Sequence, residues 1–525
     1  MLVLSDRQPL EDATNFALSF VKKFAQVIVA ILGCFDRVIF KGYLPFWDDK
    51  HLNDFVDYVL KIRRKDFLPW LEQHSQMLVD HAQTMAEQAG RPYEFKQGKF
   101  KKEKFIQNLI RQDKMTEGLV AVLCVMETCR TVSLKRGKTR PWFHYKRRPQ
   151  RVLYYYFLDR EFGLMHIRLE TWFPYGIQVY VNGHDWLAQQ MQKKGLGFVQ
   201  QDNAFTFLEN PKAAQKIADR FAGLNWPKQL SKWARRVNPL LTRGGWLSHL
   251  DYYWVTDQAE YASDVLFASR KQLRELYPRL LDHAVVNFSA SDILTFLGRK
   301  LNGNFQGEAL TSCQKKRHPG ARVKHRMKDN WLKMYDKFGL ILRVETVINQ
   351  PREFRVRRKG IRNGEPQMVW APMNKGVSNL PEYQRHARAA NERYLNALAV
   401  VDDPSPAYEQ VEKLTKSQVH KGRRYAGFNP ARREDIRLFE AVMSGDHLLK
   451  GFQNADIREL LWGSCRNRAE KTRKANAVTR LLKRLHVRGL IAKIPRTRRW
   501  RTTARGQKLL STMIHLHYYG LPLAA

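Results

Sequence analysis

The chain has 525 residues, of which 44% are apolar and 12% aromatic, a globular composition that argues against a disordered or fibrous protein. Lys and Arg number 91 against 50 Asp and Glu, a formal net charge of +41. Charge of that size calls for a polyanion, because a polyphosphate releases counterions when Lys and Arg replace them. A membrane surface is the weaker alternative, and a secreted enzyme with a small neutral substrate is disfavoured.

The chain opens MLVLSDRQPLEDATN, without the basic stretch and long apolar run of a signal peptide. Five cysteines (Cys34, Cys124, Cys129, Cys313 and Cys465) are too few and too scattered for a disulfide framework. The longest apolar run, FAQVIVAILGCF at 24–35, is too short to span a bilayer and reads as a buried helix. The expectation is a cytoplasmic, nucleoid-associated protein with DNA or RNA as partner and no membrane. Oligomeric state is not readable.

Residues 1–117 read as a helical N-terminal region, because apolar positions recur at helical spacing in NFALSFVKKFAQVIVAIL and in HLNDFVDYVLKIRRKDFLPWLEQHSQMLVDHAQTMAEQA. From Gly118 the period changes. LVAVLCVME, RVLYYYFLD, GLMHIRLETWF and GIQVYVNG predict four strands of one sheet over 118–182. Helices are predicted at 184–194 and 211–224. Residues 225–303 read as mostly helical, with LDYYWVTDQAEYASDVLF undecided between strand and helix. A second sheet block is predicted over 305–370, with WLKMYDK and LILRVETVIN joined by a tight turn at Phe338–Gly339. Helix returns at 376–402. Pro404 and Pro406 open a linker over 403–430, and 431–525 forms a separate domain. The fold class is thus α+β multidomain: helical N-terminal region 1–117, β-rich core 118–402 in two sheet blocks, linker, and C-terminal domain.

That last domain reads as helix over 433–444, helix in NADIRELLW with Asn454 as N-cap, a longer helix EKTRKANAVTRLLKRLHVRG ending at Gly489, short strands in GLIAKIP and RRWRTT, and a final helix. In this order, and in the phrase "helix, GLI-x-K, wing, TT-x-x-G-x-x-LL", it resembles the winged helix-turn-helix domains of MarR-like regulators. The resemblance implies that Lys471, Arg473, Lys474, Asn476 and Arg480 lie on or near bases. Lys493, Arg496, Arg498 and Arg499 would lie near phosphates. Over 431–525 there are 21 Lys and Arg against 7 Asp and Glu, a net +14.

The second sheet block packs His325, Arg326, Lys328, Lys333, Tyr335, Asp336, Lys337, Arg343 and Glu345 into adjoining strands. Alternation puts Arg343 and Glu345 on one face, and a face so charged is expected to lie outside the core. One reading is phosphoryl transfer. Glu345 or Asp336 would hold Mg2+ or Mn2+, joined by His325. Arg326, Lys328 and Arg343 would hold phosphate, and Tyr335 would act as a nucleophile. The phrase L-K-M-Y-D-K … L-R-V-E resembles a hairpin of plasmid and phage rolling-circle replication initiators. Where those carry a His-hydrophobe-His motif, this chain has a single His in His166–Arg168. The other reading is a basic binding sheet with Glu345 and Asp336 as ion-pair partners of Arg343 and Lys337. The echo of Arg343-Val-Glu345-Thr in Arg168-Leu-Glu170-Thr suggests that Glu170 and Glu345 converge on one metal.

No Walker lysine loop, G-x-G-x-x-G or G-x-S-x-G occurs, so ATPase, dinucleotide and α/β-hydrolase chemistry lack support. Three classes remain. The first is a nucleic-acid-binding protein, with DNA as the expected ligand and a prokaryotic mobile element as origin. The second is a metal-dependent nicking endonuclease, replication initiator or transposase-like enzyme. The third is an RNA-binding ribonucleoprotein component.

Overall fold

The computed structural model describes residues 19–519 except 47, 98–99, 136–140, 287, 300–307, 315–320, 363–364, 400, 402–411, 445–446, 448–450 and 466. The opening segment and the Pro404–Pro406 end of the expected linker lie outside the described residues. The chain is α+β and divides into two compact units. One, the central unit, comprises 30–265 and 345–388; the other, the C-terminal unit, comprises 1–29, 266–344 and 389–525. All four boundaries fall inside regular elements: strands Ile28–Tyr43, Tyr253–Phe267 and Ile341–Ile348, and helix Leu380–Leu398. The units therefore do not follow the sequential division at 117 and 402 that composition suggests.

Strand β1 is Ile28–Tyr43, which corrects the helix expected at 24–35. An apolar run of twelve residues rich in Val and Ile does not distinguish a buried helix from a strand covered on both faces. Strands β2 (Tyr93–Lys96), β3 (Gly118–Lys135), β4 (Trp142–Asp159), β5 (Gly163–Glu170) and β6 (Ile177–Val181) follow. β3 to β6 are the four strands expected, paired as an antiparallel meander, while β2 joins β3 in parallel. In the central unit the order runs from the 345–348 end of Ile341–Ile348 through Tyr253–Phe267, β1, β6, β5 and β4 to β3 and β2. Tyr253–Phe267 settles the undecided segment as a strand.

One face of this sheet is apolar. Val38, Phe40, Leu153, Tyr155, Phe157, Ile167, Leu169, Ile177 and Val179 bury there against Leu71, Leu78, Ala82, Leu187, Ile217 and Trp233. Those partners come from helices Arg64–Gln88, Gly183–Lys193, Pro211–Ala218 and Trp226–Val237. Burying an aliphatic or aromatic side chain contributes roughly 1.5–3 kcal/mol, so this layer fixes the strands that carry the polar face opposite.

In the C-terminal unit, strands Ala309–Gln314, Arg322–Met327 and Asn330–Lys337 are neighbours in sequence order, next to the start of Ile341–Ile348. The tight turn expected at Phe338–Gly339 is present: the two residues have φ of 62° and 69°, the paired positive values of a type I′ hairpin turn. The same unit holds helices Arg433–Met443, Asn454–Trp462 and Arg468–Val487, a ribbon of Ile491–Lys493 and Trp500–Thr502, and helix Ala504–Tyr519. The N-cap before Asn454 is Gln453, in a capping box with Asp456. Leu414 and Phe428 are buried in the core of these helices, so the described part of 403–430 packs rather than links.

Candidate metal centre

The pairing of β1 with β6 runs from Gly42↔Ile177 to Val38↔Val181 and stops there. Just beyond it, the chain after β6 turns into helix Gly183–Lys193. The Asn182 side chain caps the helix, accepting from the His184 N–H at 2.8 Å. Gly183 is required at this junction: a Cβ there would lie 2.4 Å from the Phe35 carbonyl oxygen. This close approach brings His184 over β1. Its Nδ1 is 3.3 Å from Asp36 Oδ1, and its Nε2 is 3.7 Å from Asp264 Oδ2. Asn203 donates a hydrogen bond to Asp36.

Asp36 on β1, Glu260 on Tyr253–Phe267 and Glu345 on Ile341–Ile348 belong to three successive strands of the sheet. One carboxylate oxygen from each comes within 4.8 Å of the other two, and all three residues are buried. Each pair of charges at that distance repels by about 3 kcal/mol at an effective dielectric of 20. Buried anions so placed need cations. Arg37 supplies one, in an ion pair with Glu260. Burial pulls the Arg37 guanidinium down, but Glu260 more than offsets this and holds it above its ordinary value, fully charged. Asp185, on the helix beside His184, is pushed up to about 6 by burial.

A point equidistant from three oxygens at most 4.8 Å apart lies at most about 2.8 Å from each, so an inward movement of up to about 0.7 Å brings them to the roughly 2.1 Å of Mg2+. An all-carboxylate set suits hard cations such as Mg2+ and Mn2+ rather than zinc or copper.

Of the residues singled out from sequence, Glu345 is in this cluster. Glu170 is not. On β5 it is separated from the Glu345 strand by β6, β1 and Tyr253–Phe267, or roughly 19 Å at the usual strand spacing. Convergence on one metal is thereby excluded. Glu170 instead accepts from Arg168 at 2.9 Å, and Arg168 also reaches Glu127 at 3.0 Å. They line a cavity of about 410 Å³ with Lys41, Arg130 and Arg147.

Asp336 caps the hairpin turn, accepting from the Gly339 N–H at 2.9 Å. Burial raises its pKa. His325 is a satisfied core histidine between Thr311 Oγ1 at 2.9 Å and the Tyr394 hydroxyl at 3.0 Å, and burial pushes it down to about 3. Tyr335 and Lys333 lie on the half-exposed side of Asn330–Lys337, Arg326 is exposed, and Lys328 is half-buried. Lys337 and Arg343 are buried, as is every residue of Ile341–Ile348, which corrects the expectation that so charged a face lies outside the core.

In the C-terminal helices, Lys471, Arg473, Asn476 and Arg480 are exposed on Arg468–Val487, while Lys474 pairs with Glu470 at 2.8 Å. Lys493, Arg496 and Arg498 are exposed on the ribbon. Arg499 is occupied, donating to the Gly451 carbonyl at 2.9 Å.

Asp36 and Glu260 went unassigned from sequence. The available signal was charge inside an apolar run: Asp36-Arg37 in GCFDRVIF, and Glu260 and Asp264 in QAEYASDV. Comparison of the chain with protein-family models, curated proteins and solved structures gives no match. Among the described residues no helix is long and apolar enough to cross a membrane.

Proposed function

We propose that the protein binds nucleic acid and cleaves or transfers its phosphodiester backbone with Mg2+ or Mn2+ held by Asp36, Glu260 and Glu345. The observation that carries this reading is the buried carboxylate cluster on three successive strands. In it, a divalent cation would polarise a phosphoryl oxygen and ease deprotonation of a bound water. His184, against Asp36 and Asp264, would orient the Asp36 carboxylate toward the shared centre. The net charge of +41 favours a polyanionic substrate. The helices and ribbon of 431–525, in winged-helix order with Arg473, Asn476 and Arg480 exposed along one helix, would supply the docking surface.

The test incubates the full chain with labelled duplex and single-stranded DNA and RNA in Mg2+, Mn2+ or chelator. Cleavage or strand joining is expected only with metal, and is lost in Glu345→Gln and Asp36→Asn while binding persists. Metal-independent binding without turnover on every substrate supports a second reading, in which the protein only binds and the Arg37–Glu260 ion pair neutralises a structural cluster.

A further inference from the structure

The antiparallel ribbon of Arg355–Arg362 and Glu365–Pro372 has no part in the reading above. Its base is anchored. Val356 and Ala371 face each other and are buried, and beside them the Met373 N–H donates to the Phe354 carbonyl at 2.9 Å. Beyond the base the strands leave the core. Ile361 is 80% exposed, Trp370 59% and Met368 51%, beside exposed Arg357, Arg358 and Lys359.

The register makes these residues one surface. Arg357 stands opposite Trp370, Lys359 opposite Met368, and Ile361 opposite Pro366. Alternation places all six on one side of the ribbon. A cationic row thus runs along one strand and an apolar and aromatic row along the other. Three exposed cations, Arg355, Arg357 and Lys359, share this side and exposed Arg358 lies on the other, while the one described acid of the two strands is Glu365. The complement of such a face is a regular anionic backbone flanking flat apolar surface, which is the composition of a nucleic-acid groove. A two-stranded ribbon fits the major groove of B-DNA, about 12 Å wide, whereas the major groove of duplex RNA is too narrow.

We propose that this ribbon inserts into the major groove of duplex DNA, with Arg357 and Lys359 on phosphates and Ile361, Met368 and Trp370 against sugars and base edges. The inference rests on the nucleic-acid reading given above, but not on the metal centre or on the C-terminal helices.

The test measures binding of the full chain to a labelled 30-base-pair DNA, the matching single strand and the matching RNA duplex. Chelator is present throughout, so that cleavage plays no part. For the double variant Arg357→Ala/Lys359→Ala, duplex-DNA affinity is expected to fall roughly tenfold and the log–log salt slope to drop by about 2. For Ile361→Ala/Trp370→Ala, affinity is expected to fall several-fold at an unchanged salt slope. All four side chains are exposed, so melting temperatures are expected to match the parent protein within about a degree. Parent-like DNA binding by both variants overturns the ribbon proposal while leaving the nucleic-acid reading intact. An equal loss on single strands or on duplex RNA overturns groove insertion. Absence of nucleic-acid binding by the parent protein overturns both.

Discussion

Glu345→Gln is the most informative single change. It keeps the side-chain shape and removes one of three charges whose oxygens lie within 4.8 Å. In the metal-free protein, two repulsions of about 3 kcal/mol each disappear. Arg37 already offsets part of that sum. The variant is therefore expected to melt at or slightly above the parent in chelator. With a divalent ion at 100 times its Kd, the parent gains about 3 kcal/mol, a rise of roughly 6 °C for a unit of this size. Loss of one carboxylate ligand is expected to weaken metal binding about a hundredfold, reducing that gain to about 0.4 kcal/mol, or roughly a degree. The assay is thermal unfolding followed by near-ultraviolet circular dichroism with Mn2+ or chelator. Glu170→Gln, with three strands between it and the Glu345 strand, is the control and is expected to keep the full metal shift. If Glu345→Gln melts several degrees lower in chelator and keeps the Mn2+ shift, Glu345 is an ion-pair partner rather than a ligand, and the metal centre is refuted.

Three further outcomes follow from the same physics. His325 is buried neutral at about 3 against 6.5 when unfolded, so the native state binds fewer protons as pH falls between those values. Stability is expected to drop by up to about 5 kcal/mol from pH 6.5 toward 3, and His325→Gln should flatten this part of a pH–melting curve. Asp185 has the opposite sign. Its carboxyl is raised to about 6, so the native state holds the proton more tightly and stability is lost as pH rises from about 4 to 6. Asp185→Asn, which retains the capacity to pair with Gln200, is expected to stabilise the protein at pH 7 by about 3 kcal/mol in a denaturant titration, with no gain at pH 4. Replacing exposed Arg473 and Arg480 by Ala is expected to weaken nucleic-acid binding and reduce the salt slope by about 1 for each phosphate no longer neutralised, measured by anisotropy across a salt series.

The meander β3 to β6 was legible because its segments are rich in Val, Ile, Tyr and Phe and punctuated by Gly and Pro, with strict alternation in β5 and β6. The 338–339 turn was legible because Gly339 takes positive φ without strain. β1 was not, since a strand covered on both faces shows no alternation. The carboxylate cluster divides in the same way. Glu345 stood out in a hairpin dense with charge. Asp36 and Glu260 sat within largely apolar runs, and only the strand order, a non-local property, places them beside it. The sequence echo around Glu170 pointed the wrong way for the same reason: equal neighbours in sequence do not make equal neighbours across a sheet. The face of Arg343 and Glu345 misled because every residue of Ile341–Ile348 is buried, the charged ones included, so charge density there was no sign of exposure.

The division of the chain between the two units also orders events during synthesis. Every segment of the central unit has been made once residue 388 leaves the ribosome. The C-terminal unit draws on residues before 30 and after 388, so its earliest and middle segments must wait for the last 137 residues. Strands such as Arg322–Met327 and Asn330–Lys337 are therefore held without their full complement of partners while the carboxylate unit can already close. Nascent-chain arrest with residue 388 already clear of the ribosome should thus yield a protease-resistant carboxylate unit on a chain whose C-terminal unit is still incomplete, and the interval between the two closures is set by translation rather than by the folding rate of either unit.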